Sequence, residues 1–303
     1  MKNISEKIVC LVGPTAVGKT SLAIELARLV DGEIVNADSR QIYAELDIGS
    51  AKPTLDERDG VIHHLIDCAH LEDPWSVAQF IKAAQSVISD ICSRGKVPLL
   101  VGGTGLYVKK LLFGLDDIPA VDPAVRAQLA KRLQNEGLPL LYRELESLDP
   151  VVSARLSEND TQRILRALEV YYQTGKSISF FWKSDEDQAK YTYLKLGLKL
   201  AREILYQNIN VRVDQMIAKG LKEEAVALFD KFPKNDVLLK TIGYAEWSRF
   251  GFDDQARVIE EIKKNSRQFA KRQMTWFGNE DDVVWFESGE KNELIKNVMS
   301  FLK

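Results

Sequence analysis

The stretch Gly13-Pro14-Thr15-Ala16-Val17-Gly18-Lys19-Thr20 decides how the rest of the chain is read. It fits G-x-x-x-x-G-K-[ST], the phosphate-binding loop. Before it, Ile8 to Val12 is a short, β-branched apolar run, as expected of a buried parallel strand. After it, Ser21 to Arg28 carries apolar residues at helical spacing. The loop therefore joins a strand to a helix. Its glycines let the backbone curl so that several N–H groups aim at one anion. The helix N-terminus adds partial positive charge. Lys19 adds a full charge, and the Thr20 hydroxyl is a ligand for Mg²⁺. The expected class is α/β: a P-loop-type parallel sheet flanked by helices.

Composition narrows the setting. A chain of 303 residues buries a sizeable core in one or two domains. A net charge of −3 predicts no nucleic-acid partner in bulk, so any such partner must use a local basic face. Cys10, Cys68 and Cys92 have no metal or redox spacing and read as small apolar residues of a reducing compartment. No signal peptide or membrane span is expected, which points to the cytoplasm.

Further strands are expected at Glu33–Ala37, Lys96–Val101, Tyr193–Leu198 and, shorter, within Val61–Cys68. Two of them end in polar loops at the carboxyl edge, where open α/β sheets bind ligands. Asp38-Ser39-Arg40-Gln41 follows the second strand. A carboxylate at Asp38 reads as a general base, a metal ligand or a helix N-cap. Gly102-Gly103-Thr104-Gly105 follows Val101, where glycines permit close backbone approach. Thr104 stands where an ATP-hydrolysing P-loop site usually has an acidic residue, which counts against an ATPase. His63 and His64 are adjacent on a strand, point to opposite faces, and make a poor ligand pair.

From Ala124 to about Tyr172 the pattern is helical, with breaks at Asn135–Pro139 and Leu148–Pro150. This reads as an insertion, with expected bounds 119–191 inside a core of 1–118 and 192–303. Lys183–Lys190 reads as an exposed, charged connection. Arg163 and Arg166 share one helix face, and Arg212 lies on a later helix. A solvated face or a surface ion pair explains each as well as a binding role does. From Arg257 to Arg272 there are six basic and two acidic residues, with Lys263, Arg267 and Lys271 at successive i,i+4 positions and Arg272 beside them. That stripe suits a nucleic-acid backbone or is a plain solvated face.

The segments GPTAVGKT at Gly13, DSRQIY at Asp38, DIGSAKP at Asp47, HHLID at His63, LLVGGTGLY at Leu99, RALEVYYQTGK at Arg166, IGY at Ile242 and RQFAKRQMTWF at Arg267 make an ordered set. With it the chain resembles the tRNA dimethylallyltransferases (tRNA isopentenyltransferases) along nearly all its length. No Cys/His spacing for the zinc-finger extension of the eukaryotic relatives follows, so the resemblance is to the bacterial form. It implies transfer of a prenyl group from dimethylallyl diphosphate to the exocyclic amine of the adenosine 3′ of the anticodon. It assigns the diphosphate to the loop from Gly13 to Thr20, with Mg²⁺ on Thr20, and to Thr104 and Arg212. It makes Asp38 the base, and it has Ser39, Arg40, Gln41 and Thr104 hold the target adenosine. Arg126, Gln162, Arg163 and Arg166 of the insertion then clasp the anticodon stem-loop, while Lys263, Arg267, Lys271 and Arg272 take phosphates. A monomer is the family expectation. Three other readings remain: prenylation of free AMP or ADP, a small-molecule kinase, and a non-catalytic RNA-binding protein.

Overall fold

The structure, a computed structural model, describes residues 7–182 and 189–303. Most of the connection expected at Lys183–Lys190 lies outside the described residues. Those within Met1–Gly114 and Ala189–Lys303 form one compact unit, and those within Leu115–Gln188 another.

The first unit opens with β1 (Lys7–Val12), α1 (Lys19–Leu29), β2 (Gly32–Asn36), the short α2 (Leu55–Arg58) and β3 (His63–His64). It continues with α3 (Val77–Ser93), β4 (Val97–Gly102) and α4 (Gly105–Phe113). The second unit holds α5 (Pro123–Glu136), α6 (Leu138–Leu148), α7 (Pro150–Ser153) and α8 (Thr161–Thr174). The chain then returns with β5 (Thr192–Lys199), α9 (Arg202–Ala218), α10 (Leu221–Lys231), α11 (Asp236–Lys240), α12 (Ala245–Phe250), α13 (Gln255–Gly278), β6 (Val283–Glu287) and α14 (Lys291–Leu302).

The six strands form one sheet in the order β3-β2-β4-β1-β5-β6, and every pairing is parallel. In β1 everything after Lys7 is buried, as expected of a central strand covered on both faces. One face packs Val9, Leu11, Leu99 and Leu196 against α1, α9 and α14. Phe80 of α3 and Tyr107 of α4 stack at 3.9 Å. β3 is shorter than its apolar run suggests, because Leu65 and Asp67 sit at φ 59° and 58° and end the extended backbone. β6 was not expected. It pairs with β5 from Lys195↔Val283 to Lys199↔Glu287, and its run Val283-Val284-Trp285-Phe286 was hidden by the charges around it.

In the second unit, Asp122 caps α5 with Pro123 in its first turn, and Asp160 caps α8, whose chain leaves through the left-handed Gly175. Leu129, Leu141, Leu145, Ile164 and Leu168 make its own small core.

Candidate active site

Three loops gather at the carboxyl edge of the sheet. They follow β1, β2 and β4, which lie side by side in the order β2-β4-β1. Local backbone demands shape the first. Gly13 has φ 139°, and a Cβ there would fall 2.7 Å from the Leu198 carbonyl oxygen. Gly18 caps α1 with φ 96°. Side chains rarely adopt these angles. The Lys19 ammonium donates back to the carbonyls of Gly13 (2.9 Å) and Pro14 (2.7 Å). Burial lowers it from 10.5 to about 7, against the pull of nearby Asp38 and with a push from Arg212.

After β2, the Asp38 carboxylate accepts from the Arg40 N–H through Oδ1 (2.8 Å). No hydrogen bond to Oδ2 is made by the described residues. Asn36 braces the turn by donating to the Leu65 carbonyl (3.0 Å) and accepting from the Asp38 N–H (3.3 Å). The Ser39 N–H donates to Thr104 Oγ1 (3.0 Å), so the Thr104 hydroxyl proton remains available. Gln41 donates to the Ala51 carbonyl (3.1 Å).

Two elements from the far end of the chain complete the site. Arg212 of α9 donates through Nη1 to Thr15 Oγ1 (3.0 Å), and burial depresses its pKa. Gln273 of α13, only 5% exposed, accepts from the Thr15 N–H (2.8 Å) and donates to the Gly103 carbonyl (3.0 Å). The glycines after β4 answer to α13. A Cβ on Gly103 would lie 2.1 Å from Gln273 Nε2, and one on Gly105 2.1 Å from Trp276 Nε1.

Two cavities open here. The larger, about 720 Å³, runs from the phosphate loop past Lys52 and His63. The smaller, about 410 Å³, is bounded by Arg40, Thr104, Phe269, Arg272 and Trp276. Thr15, Asp38, Arg212 and Gln273 are among the residues that line both, so the two adjoin along a boundary that includes Asp38.

The expected residues thus divide. The loop, Asp38 to Gln41, Thr104, Arg212 and Arg272 come together. Arg126, Gln162, Arg163 and Arg166 belong to the other compact unit. There Arg126 and Arg166 share the buried Glu169, at 3.2 and 3.4 Å, and Arg163 pairs with Asp160. Lys263 corrects the basic stripe. Its ammonium reaches Asp214 at 2.8 Å and its side chain is 15% exposed, so it joins α13 to α9 rather than facing solvent. Arg267 donates to Asn210 on the same side, whereas Lys271 and Arg272 are exposed. The sequence does not single out Gln273, although it stands in the RQMTW string with Trp276, which reads there only as an apolar residue at the end of the basic stripe.

Among the described residues no group of three or more His, Cys, Asp or Glu side chains could hold a metal. His64 instead pairs with the buried Glu33. Mg²⁺ suits such a poor protein shell, because it keeps water and takes substrate phosphate oxygens. The exposed Thr20 hydroxyl on the larger cavity fits that use. Among the described residues, no helix is long and apolar enough to cross a membrane.

Known proteins resemble this chain along nearly its whole length. The IPP transferase profile matches residues 41–280. The tRNA dimethylallyltransferase of Carboxydothermus hydrogenoformans is 42% identical over 95% of this chain and 94% of its own. That of Bacillus subtilis is 41% identical over 95% and 92%. The crystal structure of the tRNA isopentenylpyrophosphate transferase of Bacillus halodurans superposes with TM-score 0.72 at 38% identity, covering 98% of this chain and 97% of that one. A eukaryotic dimethylallyltransferase described as acting on tRNA superposes with TM-score 0.82 at 28% identity, over 97% of this chain and 78% of that one. A profile match across most of the sequence and relatives aligned nearly end to end give one assignment: the chain belongs to the IPP transferase family.

Proposed function

We propose that this enzyme transfers the dimethylallyl group of dimethylallyl diphosphate to the N6 amine of the adenosine 3′-adjacent to the anticodon, in tRNAs that read codons beginning with U, releasing diphosphate. The observation that carries the reading is that two cavities adjoin along a boundary that includes Asp38. One holds the phosphate loop and the other has a basic, aromatic mouth.

The chemistry follows from the charges. As the allylic C–O bond breaks, its electron pair goes to the diphosphate and the carbon takes on cationic character. Preorganised donors that favour the departing charge lower this barrier. Lys19, the loop N–H groups, Arg212 and the Thr104 hydroxyl serve in that role. Mg²⁺, when bound at Thr20, adds positive charge against the leaving group. The adenine amine is a poor nucleophile because its lone pair is delocalised into the ring. It must lose a proton as the C–N bond forms, and Asp38 Oδ2 accepts it. The target base leaves its stack to enter the smaller cavity, where Phe269 and Trp276 offer apolar faces and Arg40 a polar one, while Gln41 lines the larger cavity. In the insertion, Arg126, Gln162, Arg163 and Arg166 contact the anticodon stem-loop. The Arg163–Asp160 pair is solvent-exposed and weak enough to exchange for phosphate, whereas Arg126 is exposed but pairs with the buried Glu169.

The test is incubation with radiolabelled dimethylallyl diphosphate and Mg²⁺, offered either unmodified tRNA or AMP. Label in tRNA alone supports the reading. Label in AMP, or in neither acceptor, defeats it.

A further inference from the structure

Where the two cavities meet, one unbroken chain of hydrogen bonds crosses the wall. The Gly103 carbonyl accepts from Gln273 (3.0 Å), and Gln273 accepts from the Thr15 N–H (2.8 Å). Thr15 Oγ1 accepts from Arg212 (3.0 Å), and Arg212 reaches the Ala51 carbonyl (3.5 Å). All five residues line both cavities. Together they border both cavities where these adjoin, as does Asp38, and make one side of a collar there.

Gln273 is the member whose role the prenyl-transfer reading leaves open. It is buried, uncharged, and uses its amide in both senses, as donor to a carbonyl and acceptor from an N–H. By occupying the Thr15 N–H it withholds that group from the anion. Its amide also fills the space that a side chain at Gly103 would need. The fit is mutual: a bare Gly103 admits the amide, and the amide ties the loop after β1 to the loop after β4.

An allylic carbon losing diphosphate is open to any nucleophile. Water attack forms a C–O bond, breaks the bond to diphosphate with the electron pair leaving on phosphate, and sheds a proton to solvent, giving dimethylallyl alcohol and diphosphate. Closed sites suppress such side reactions by keeping water out. We propose that Gln273 is a positioning residue that closes this collar, so that the allylic carbon meets the adenosine amine and not water. The inference rests on the prenyl-transfer reading.

The experiment counts diphosphate released and prenyl groups incorporated into tRNA, in one reaction, for the wild type, Gln273→Met and Gly103→Ala. Methionine keeps the bulk but forms neither hydrogen bond. Alanine at position 103 displaces the same amide from the other side. In the wild type the two products form at parity. In both variants diphosphate is expected to exceed prenyl-tRNA, with dimethylallyl alcohol making up the difference, and transfer to fall about tenfold or more. A ratio that stays at parity in every folded variant, whatever happens to the rate, overturns the proposal. Wild-type protein that releases diphosphate but labels no tRNA would count instead against the prenyl-transfer reading itself.

Discussion

Loading the phosphate loop should draw a proton from solution. In the free protein burial holds Lys19 at about 7 instead of 10.5. At pH 8 about nine-tenths of the molecules then carry it neutral. A diphosphate in the loop sets negative charge against that nitrogen and favours the ammonium. The ligand's own last phosphate proton leaves near about pH 6, so it adds little at pH 8. Net uptake should approach ~0.9 proton per ligand at pH 8 and shrink below pH 7, where Lys19 is already charged. Calorimetric titration with dimethylallyl diphosphate, without tRNA, in HEPES and in Tris reads this as a difference in apparent heat. Lys19→Met should bind more weakly and lose the buffer dependence. Equal heats in the two buffers for the wild type would refute the argument. Stability carries the same sign. The unfolded chain protonates Lys19 below about 10.5 and the folded protein below about 7. The penalty is therefore complete below pH 7 and relieved as pH rises toward 10.5, so any stability advantage of Lys19→Met should shrink across that window.

Asp38→Asn should leave donor affinity nearly unchanged and cut turnover by ~10²–10⁴-fold in the same labelling assay; unchanged turnover would remove Asp38 as the base. Lys271→Ala with Arg272→Ala should lower the salt slope of tRNA binding by about 1.5, whereas Lys263→Ala, whose ammonium is held by Asp214, should not. Hydrogen bonds from Arg94 and His64 to the buried Glu33 depress its carboxyl from 4.5 to about 2. The stability it contributes is present above 4.5 and lost as pH falls toward 2, so acid melts of Glu33→Gln should be flatter in that window.

What could be read from the sequence was what is local. The loop from Gly13 to Thr20 is set by glycines and a lysine at fixed offsets between a strand and a helix. The ends of β2 and β4 carry polar residues straight after apolar runs, which put Asp38 and Thr104 at the ligand edge. Partners distant in sequence were not legible. Gln273 is one amide in a helix full of polar residues, and its bond to Thr15 spans 258 positions. Lys263 looked like part of a solvent stripe because nothing near it announces Asp214. Lys195, buried in a strand, is explained only by Glu280 and Asp282, which lie 85 and 87 residues on. Helical periodicity reports which face is apolar, not which cation on the other face is already paired.

The central place of β1 also has a consequence in time. Its two neighbours in the sheet are β4 and β5, so one side waits for Val97–Gly102 and the other for Thr192–Lys199. During translation at about 5–20 residues per second, the second side goes without its partner for roughly 10–40 s. Over that interval an apolar edge, Ile8-Val9-Cys10-Leu11-Val12, is open to any other nascent strand. The Leu115–Gln188 insertion is synthesised inside that interval and lengthens it.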